Sequence, residues 1–345
     1  MARKKSKKKT RRSPRSRSRK ASLVLAFVIS AVAAVYAAVG VWFVHHPREW
    51  VISQQEKHPL LSAALLWVGN PVGDITDALN MTGRDVVYEY DEMAPHGSVL
   101  FAGSPVRTSS KAPSDIRILD RGEFIIGWSD SLRHPVWCAY HVVKDASHIE
   151  RERPNFTKDK QVPLCPNPKD YYKSGYDRGH MAPNHAIASR YGEAQQKLSF
   201  LMTNVAPQTP QLNRGVWRVL EHRIADLWTA RYGEIWVVVG CTPSKDGEKI
   251  PGTDIDVPSA FYQVIIAQEG LDIRMLATYF PAETKWNAWA ARHIISVDEL
   301  EEITGLDFNP DLPDFIERPL EAELPTRLWP IRASDIFRQI LLRFK

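Results

Sequence analysis

The sequence predicts an α+β domain in which a mainly antiparallel sheet carries a few helices, preceded by one transmembrane helix. Three observations support this prediction. Six short runs rich in Val, Ile, Tyr, Phe and Trp, each bounded by turn residues, have the composition of β-strands. The stretch 213–233 repeats apolar residues at helical spacing. The stretch 21–44 is apolar throughout and is therefore a candidate for a membrane span.

The first 20 residues form a basic tail. They contain 12 of the 45 Lys and Arg residues and no acid, which leaves 33 basic against 40 acidic residues in the rest of the chain. The basic isoelectric point therefore belongs to the tail, while the folded part of the chain is acidic. A segment whose like charges repel and that has little to bury is predicted to be a disordered cytoplasmic tail.

Residues 21–44 are predicted to form a transmembrane helix. The run contains 24 residues without a charge, and a helix needs about 20 apolar residues to cross a bilayer. Trp42 and Phe43 lie at its far end, where aromatic side chains favour the membrane interface. The positive charges before it predict a cytoplasmic N-terminus and a periplasmic or extracellular domain. A cleaved signal peptide, a buried core helix and a mitochondrial inner-membrane location are the alternatives.

The organisation predicted for the rest of the chain is a juxtamembrane linker at 45–84, a folded domain at 85–318 and a C-terminal tail at 319–345. The predicted strands are 86–90, 124–128, 136–142, 234–240, 260–266 and 273–280. The helix between them is expected to have Asn213 as its N-cap and to end at Gly233. In the C-terminal tail, 332–345 has a basic amphipathic pattern, which suits either an anionic membrane surface or packing against the domain.

The three cysteines do not indicate a metal site, because no two of them have CxxC spacing. Cys138 and Cys241 fall within predicted strands and are expected to be buried apolar residues. Outside the cytoplasm one disulfide could form, and the sequence leaves its pairing open.

The sequence Asp177-Arg178-Gly179-His180 is the first candidate for a functional site. Histidine is the side chain whose ordinary pKa allows it to accept a proton near neutral pH. Arginine offers a planar fork of donors that suits phosphate, and glycine allows the backbone to bend between the two. One short segment thus carries a base and an anion-binding group.

Asn204, Asn213 and Glu221 follow closely in the sequence. If Asn213 opens a helix, Glu221 lies about 80° around the axis and about 12 Å along it, with its side chain leaning back toward Asn213. This separation suits direct contact between Asn213 and a metal ion, with Glu221 holding a metal-bound water. Mg²⁺ fits such a site because it prefers oxygen ligands and keeps several waters, and Mn²⁺ is the alternative.

The segments DRGH, TNVAPQ and LNRGVWRVLE, in this order, resemble the motifs of the DNA/RNA non-specific endonuclease family, which includes endonuclease G. The resemblance extends over about residues 85–318 and implies the ββα-metal (His-Me finger) fold. It also implies metal-dependent hydrolysis of DNA and RNA without sequence specificity, leaving 5′-phosphate and 3′-hydroxyl ends.

The same resemblance implies a role for each matching residue. His180 corresponds to the general base that activates water, and Asn213 to the one direct protein ligand of Mg²⁺. Glu221 corresponds to the residue that fixes a metal-bound water, and Asn204 to the residue that orients the loop bearing the histidine.

Two arginines are expected to bind the substrate. The resemblance implies that Arg178 helps to hold the phosphate region, and that a second arginine lies upstream, where Arg153 is favoured over Arg151. His185 departs from the small residues usual in the family at this point, and it is expected either to contact substrate or to be a structural histidine.

Two further functions remain open: a catalytically inactive nuclease-fold binding module at the membrane, and another phosphoesterase with the same metal site. The oligomeric state is open as well, with a homodimer as one possibility.

Overall fold

The computed structural model describes residues 98–144, 146, 152–331, the strand Tyr88–Glu89 and the single residues 30, 34, 38 and 335. Contacts divide the chain into two compact units, 1–73 and 74–345, and every strand with described bounds lies in the second unit. Apart from those single positions, four predicted segments lie outside the described residues: the tail, the membrane span, the linker and the amphipathic helix 332–345. Among the described residues, no helix combines the length and apolar character needed to cross a membrane.

The described strands are β1 (Tyr88–Glu89), β2 (Val106–Arg107), β3 (Ile116–Asp120), β4 (Phe124–Ser129), β5 (His134–Val143), β6 (Asp177–His180), β7 (Val205–Gln208), β8 (Glu234–Thr242), β9 (Ala260–Glu269), β10 (Asp272–Pro281), β11 (Ile294–Ile295) and β12 (Leu306–Asp307). The main sheet has the order β1-β10-β9-β8-β5-β4-β3, and β11 pairs with β10. All of its pairs are antiparallel, which confirms the predicted sheet type. Each of the six predicted strands overlaps one of these strands.

Both faces of the main sheet are buried. Along β8, Ile235 and Val237 belong to one apolar cluster, whereas Trp236 and Val238 belong to a second cluster on the opposite face. Successive side chains of a strand point to opposite faces, so two buried faces require an apolar residue at almost every position. This explains why the central strands are continuous apolar runs and do not alternate with polar residues.

The helices are α1 (Asn184–Ser199), α2 (210–232), α3 (Val297–Thr304) and α4 (Asp314–Ala322). Leu220 and Ile224 of α2 belong to the first apolar cluster. Leu300 of α3 and Ile316 of α4 belong to the second. The sheet therefore lies between α2 on one side and α3 with α4 on the other.

Helix α2 begins earlier than predicted. Thr209 is its N-cap, because its hydroxyl accepts from Leu212 N at 3.5 Å, and Pro210 occupies the first helical position. Asn213 has helical angles of φ −56° and ψ −47°, so the prediction of Asn213 as N-cap was wrong. The predicted end at Gly233 is confirmed, since this residue has φ 93° directly after the helix.

The described fold continues past the predicted domain boundary at residue 318. Helix α4 crosses that position, and Leu328, Trp329 and Ile331 are buried in the same apolar cluster as α2. Trp228 Nε1 also donates to Trp329 O at 2.9 Å. The domain therefore extends at least to residue 331, because the predicted tail supplies part of its core.

All three cysteines are buried and unbridged. Their burial confirms the interpretation of Cys138 and Cys241 as apolar core residues. No disulfide joins any two of them in this structure.

An acidic cluster lies between α3 and α4. Oxygen atoms of Asp298, Glu301 and Glu321 lie within 4.8 Å of one another. Burial, with neighbouring carboxylates, raises the pKa of Glu301 to about 7. Burial and the charge of Glu301 raise the pKa of Glu321 to about 8, although a hydrogen bond from Asn309 opposes the shift.

This cluster should make the protein less stable as pH rises. A carboxyl group whose pKa is raised by folding stabilises the fold below its unfolded pKa, and that stabilisation is lost as pH rises through the folded pKa. We expect Glu321→Gln, which keeps an acceptor for Asn309, to raise the melting temperature at about pH 8.5 and to change it little at about pH 5. The control is Glu302→Gln at an exposed position of α3; an equal effect of both variants would contradict the prediction.

Candidate active site

The candidate site is built on a short hairpin followed by a helix. Strand β6 pairs with β7 in antiparallel register, with His180 opposite Val205 and Gly179 opposite Ala206. Helix α2 starts two residues after β7 ends. A Cβ atom at Gly179 would lie 2.6 Å from Gln208 Oε1 and 2.8 Å from Gln208 Cβ. Glycine is therefore required here for the close approach of β7, and the bend expected at this position is not formed.

Asn204 holds the segment that follows His180. Its Oδ1 accepts from Ala182 N at 2.9 Å, while its Nδ2 donates to Ala182 O and Ser199 O, both at 2.9 Å. The side chain is fully buried. These three hydrogen bonds tie the segment after β6 to the end of α1.

The imidazole of His180 packs against two aromatic rings, which also contact each other at 4.9 Å between centroids. Its ring centroid is 4.9 Å from that of Phe156 and 4.7 Å from that of Phe200. Burial, together with the positive charge of Arg153, lowers the pKa of His180 to about 3. Its Nε2 atom is buried and has no hydrogen-bond partner in the described part of the chain. The ring is thus held neutral, and its Nε2 is not engaged by any other group of the described residues.

Asp177 fixes the side chain of Asn213. Asn213 Nδ2 donates to Asp177 Oδ2 at 2.8 Å, which turns the amide oxygen of Asn213 away from that carboxylate. Arg214 donates to both carboxylate oxygens, at 2.8 and 2.6 Å. Burial opposes ionisation of Asp177, but these hydrogen bonds outweigh burial and lower its pKa. Asp177 therefore remains a carboxylate that positions Asn213.

Glu221 lies one turn after Trp217 on α2. Its Oε1 accepts from Trp217 Nε1 at 3.0 Å. Burial raises the pKa of Glu221 to about 8, against the opposing effects of this hydrogen bond and of Arg153. The stretch Asn213–Trp217 is wider than a regular helical turn, and Gly215 within it has non-helical angles of φ −98° and ψ −123°, which kink α2. The spacing between Asn213 and Glu221 therefore departs from that of the regular helix assumed in the sequence analysis.

The predicted substrate-binding arginines lie at the same site. Arg153 and Arg178 line one cavity of about 670 Å³ together with His180, Asn213 and Glu221. The guanidinium of Arg178 lies 5.1 Å from the centre of the Phe156 ring. The structure thus places every predicted site residue except Asn204 at this cavity. Asn204 does not line the cavity, and its hydrogen bonds hold the segment that follows His180.

The oxygen donors of this cavity suit a hard divalent cation. Asn213 offers an amide oxygen and Glu221 a carboxylate on the same wall, and such oxygens are the ligands that Mg²⁺ prefers. The raised pKa of Glu221 reflects a buried carboxylate with few compensating charges. A cation at this site would favour its ionised form.

Several residues of the site were not assigned a role from the sequence. Asp177 was recognised only as part of the DRGH segment, and Phe156 and Phe200 carried no signal, since aromatic residues are usually core. Arg214 and Arg218 also line the cavity. Both lie in the LNRGVWRVLE segment, so the density of arginine next to Asn213 was a usable indication of anion binding.

Comparison with known proteins agrees with this geometry. Residues 103–315, more than half of the chain, match the DNA/RNA non-specific endonuclease family. A nuclease of Nostoc sp. is 29% identical over 248 residues, which cover 68% of this chain and 88% of that protein. A nuclease of Serratia marcescens is 30% identical over 197 residues, 54% of this chain and 73% of that protein.

The similarities extend to eukaryotic proteins. The human mitochondrial nuclease EXOG is 29% identical over 206 residues, and the chain spans 55% of its length. The crystal structure of the EndoG/EndoGI complex matches with a TM-score of 0.50 at 23% identity, covering 57% of this chain and 86% of that one. This structural match concerns the fold alone. With the family match over residues 103–315, the chain belongs to the DNA/RNA non-specific endonuclease family.

Proposed function

We propose that this protein is a membrane-anchored, metal-dependent endonuclease that hydrolyses phosphodiester bonds of DNA and RNA without sequence specificity. The observation that carries the proposal is the unpaired, buried Nε2 of a neutral His180, in the cavity that also contains Asn213 and Glu221. A base, oxygen ligands for a cation and phosphate-binding arginines therefore share one site.

His180 acts as the general base. Burial and the charge of Arg153 lower its pKa to about 3, so the ring is neutral at physiological pH. A base with so low a pKa accepts a proton from water poorly, so this pKa must rise when substrate binds. The positive charge of Arg153 contributes to the lowered pKa. An anionic phosphodiester bound beside Arg153 offsets that charge, so substrate binding makes His180 a stronger base at the moment when it is needed.

Asn213 would hold a divalent cation directly, and Glu221 would hold it through a water. Mg²⁺, with Mn²⁺ as the alternative, supplies positive charge that neutralises the developing negative charge on the phosphate and on the leaving oxygen. Asp177 keeps the Asn213 amide in place by accepting from its Nδ2. Asn204 keeps the backbone after His180 in place by its three hydrogen bonds.

The cavity recognises the backbone of the nucleic acid. Arg153, Arg178, Arg214 and Arg218 line it, and arginines of this kind contact phosphates, which carry no direct sequence information. This local concentration of positive charge explains how an acidic domain binds a polyanion. It also supports cleavage of DNA and RNA alike.

The test is cleavage of plasmid DNA and of a structured RNA by the purified full-length chain in detergent, with and without Mg²⁺. We expect metal-dependent products from both substrates, with 5′-phosphate ends detected by a ligation or labelling assay. Binding of nucleic acid without cleavage under any metal would overturn the proposal and would favour an inactive binding module.

We also propose that residues 21–44 anchor the protein, with the nuclease domain outside the cytoplasm. The support is the run of 24 uncharged residues preceded by 12 Lys and Arg in the first 20 residues. Protease added to cells with a permeabilised outer barrier and an intact inner membrane is expected to digest the domain. Full protection of the domain, with a periplasmic marker digested in the same sample, would contradict this topology.

A further inference from the structure

A second group of possible metal ligands lies beside the same cavity, which two of its three members, His185 and His222, line. His185 belongs to the first turn of α1, and His222 and Asp226 lie one turn apart on α2. One ligand atom from each of the three residues lies within 4.8 Å of the others. We propose that His185, His222 and Asp226 form a binding site for a transition-metal ion of the Zn²⁺ type, separate from the oxygen ligands of the catalytic centre.

The distances are close to those of a metal site. His222 Nδ1 lies 3.7 Å from Asp226 Oδ2, and His185 Nε2 lies 2.9 Å from Asp226 Oδ1. Bonds of about 2.0–2.2 Å in tetrahedral geometry place two ligand atoms about 3.4 Å apart. The first distance is slightly longer than this and the second slightly shorter. A small rotation of the Asp226 carboxylate would make room for an ion, which would then replace the direct contact with His185.

His222 supplies independent support for a ligand at this point. Its Nδ1 atom is buried and has no hydrogen-bond partner in the described part of the chain. A buried polar nitrogen without a partner is uncommon and calls for an explanation. The imidazole rings of His185 and His222 are in contact, with their centroids 5.1 Å apart. A metal ion between them would give Nδ1 its missing partner.

The surroundings of Asp226 would hold it in position. Arg190 Nη2 lies 3.8 Å from Asp226 Oδ1, and Arg190 is itself fixed by donating to Val143 O at 3.2 Å and to Ala225 O. Such outer contacts orient a metal ligand. The positive charge of Arg190 also repels a cation, so the expected affinity is moderate.

The two sites in this cavity differ in the metal that they favour. Imidazole nitrogen suits Zn²⁺ and related transition metals, whereas amide and carboxylate oxygens suit Mg²⁺. A metal bound by His185 on α1 and by His222 with Asp226 on α2 would join two helices that flank the catalytic histidine. Binding of a metal ion by these three residues should therefore stabilise the fold. This stabilisation does not depend on the proposed nuclease activity.

The test is a calorimetric titration of Zn²⁺ into the purified full-length protein in excess Mg²⁺, which saturates the oxygen site. We expect one Zn²⁺ per chain at this site and a higher melting temperature in its presence. His222→Ala and His185→Ala should each weaken Zn²⁺ binding by more than about tenfold, because even loss of a residue that only supports a metal ligand costs about 10–100-fold. Each variant should also lose the rise in melting temperature that Zn²⁺ causes in the unaltered protein.

Two controls locate the binding. His293→Ala removes a half-buried histidine that contacts Tyr279 O at 3.2 Å and does not line the cavity. A double change of His45 and His46 to Ala tests the adjacent pair of histidines near the predicted membrane span. Unchanged Zn²⁺ binding in both ligand variants, or loss of binding only in the His45 and His46 variant, would overturn the proposal. So would the absence of any Zn²⁺ binding by the unaltered protein.

Discussion

His180→Ala is expected to reduce phosphodiester cleavage by about 10²–10⁴-fold and to leave Mg²⁺ affinity nearly unchanged. The imidazole acts as a base in the proposed mechanism and not as a metal ligand. Its Nε2 has no hydrogen-bond partner among the described residues, and its ring packs against Phe156 and Phe200. The two quantities are measured separately, by initial cleavage rates at saturating Mg²⁺ and by Mg²⁺ titration.

The same experiment on Asn213→Ala and Glu221→Ala separates catalysis from metal binding. Asn213→Ala should weaken both, because its amide oxygen is the proposed direct ligand. Glu221→Ala should weaken metal binding less, since a residue that holds a metal through water typically contributes about 10–100-fold in affinity or activity. The expected order of damage to Mg²⁺ binding is Asn213, then Glu221, then His180.

His293→Ala is the matched control for loss of an imidazole outside the cavity, and it should cleave at the unaltered rate. Melting temperatures of all variants show whether the fold persists. If His180→Ala weakened Mg²⁺ binding as much as Asn213→Ala, histidine would be a metal ligand and its assignment as a base would be wrong.

The main sheet could be predicted from composition because both of its faces are buried. β8 is mainly a run of Ile, Val and Trp, and β9 is a run of aromatic residues, Val and Ile interrupted by Gln263. Short runs of β-branched and aromatic residues bounded by turn residues favour buried strands over helices. Helix α1 was missed, because Gly192 has φ 79° within it and the stretch has few apolar residues at regular helical spacing. Strand β3 was missed as well, since it contains Arg117 and ends at Asp120.

The residue types of the site were readable from the sequence, whereas its internal support was not. The DRGH segment and the following asparagines indicated a base and oxygen ligands, but the contact of Asp177 with Asn213 joins residues 36 positions apart. The packing of Phe156 and Phe200 around His180 likewise depends on tertiary contacts. The start of α2 differs from the predicted one because Thr209 and Pro210 supply a stronger start signal than Asn213: a hydroxyl cap followed by proline in the first turn.

Asp177→Asn is expected to lower Mg²⁺ affinity by about 10–100-fold, as for other changes to residues that orient a ligand. The carboxylate accepts from Asn213 Nδ2 at 2.8 Å and from both donors of Arg214. An asparagine at this position keeps the shape but loses the charge. It would also present an amide group to Arg214, whose positive charge would no longer be compensated beside the proposed metal site.

Two further variants distinguish orientation of the ligand from a general effect of charge. Arg214→Ala leaves the bond between Asp177 and Asn213 in place, so it should reduce Mg²⁺ affinity less than Asp177→Asn. Asp314→Asn breaks an exposed pair with Arg318, whose atoms lie 2.8 Å apart, and should change nothing, because exposed ion pairs contribute little. If Asp177→Asn lowered the cleavage rate but kept the Mg²⁺ affinity of the unaltered protein, Asp177 would act on substrate and not through Asn213. The Asn213 amide would then be positioned by the wide turn Asn213–Trp217 of α2 alone.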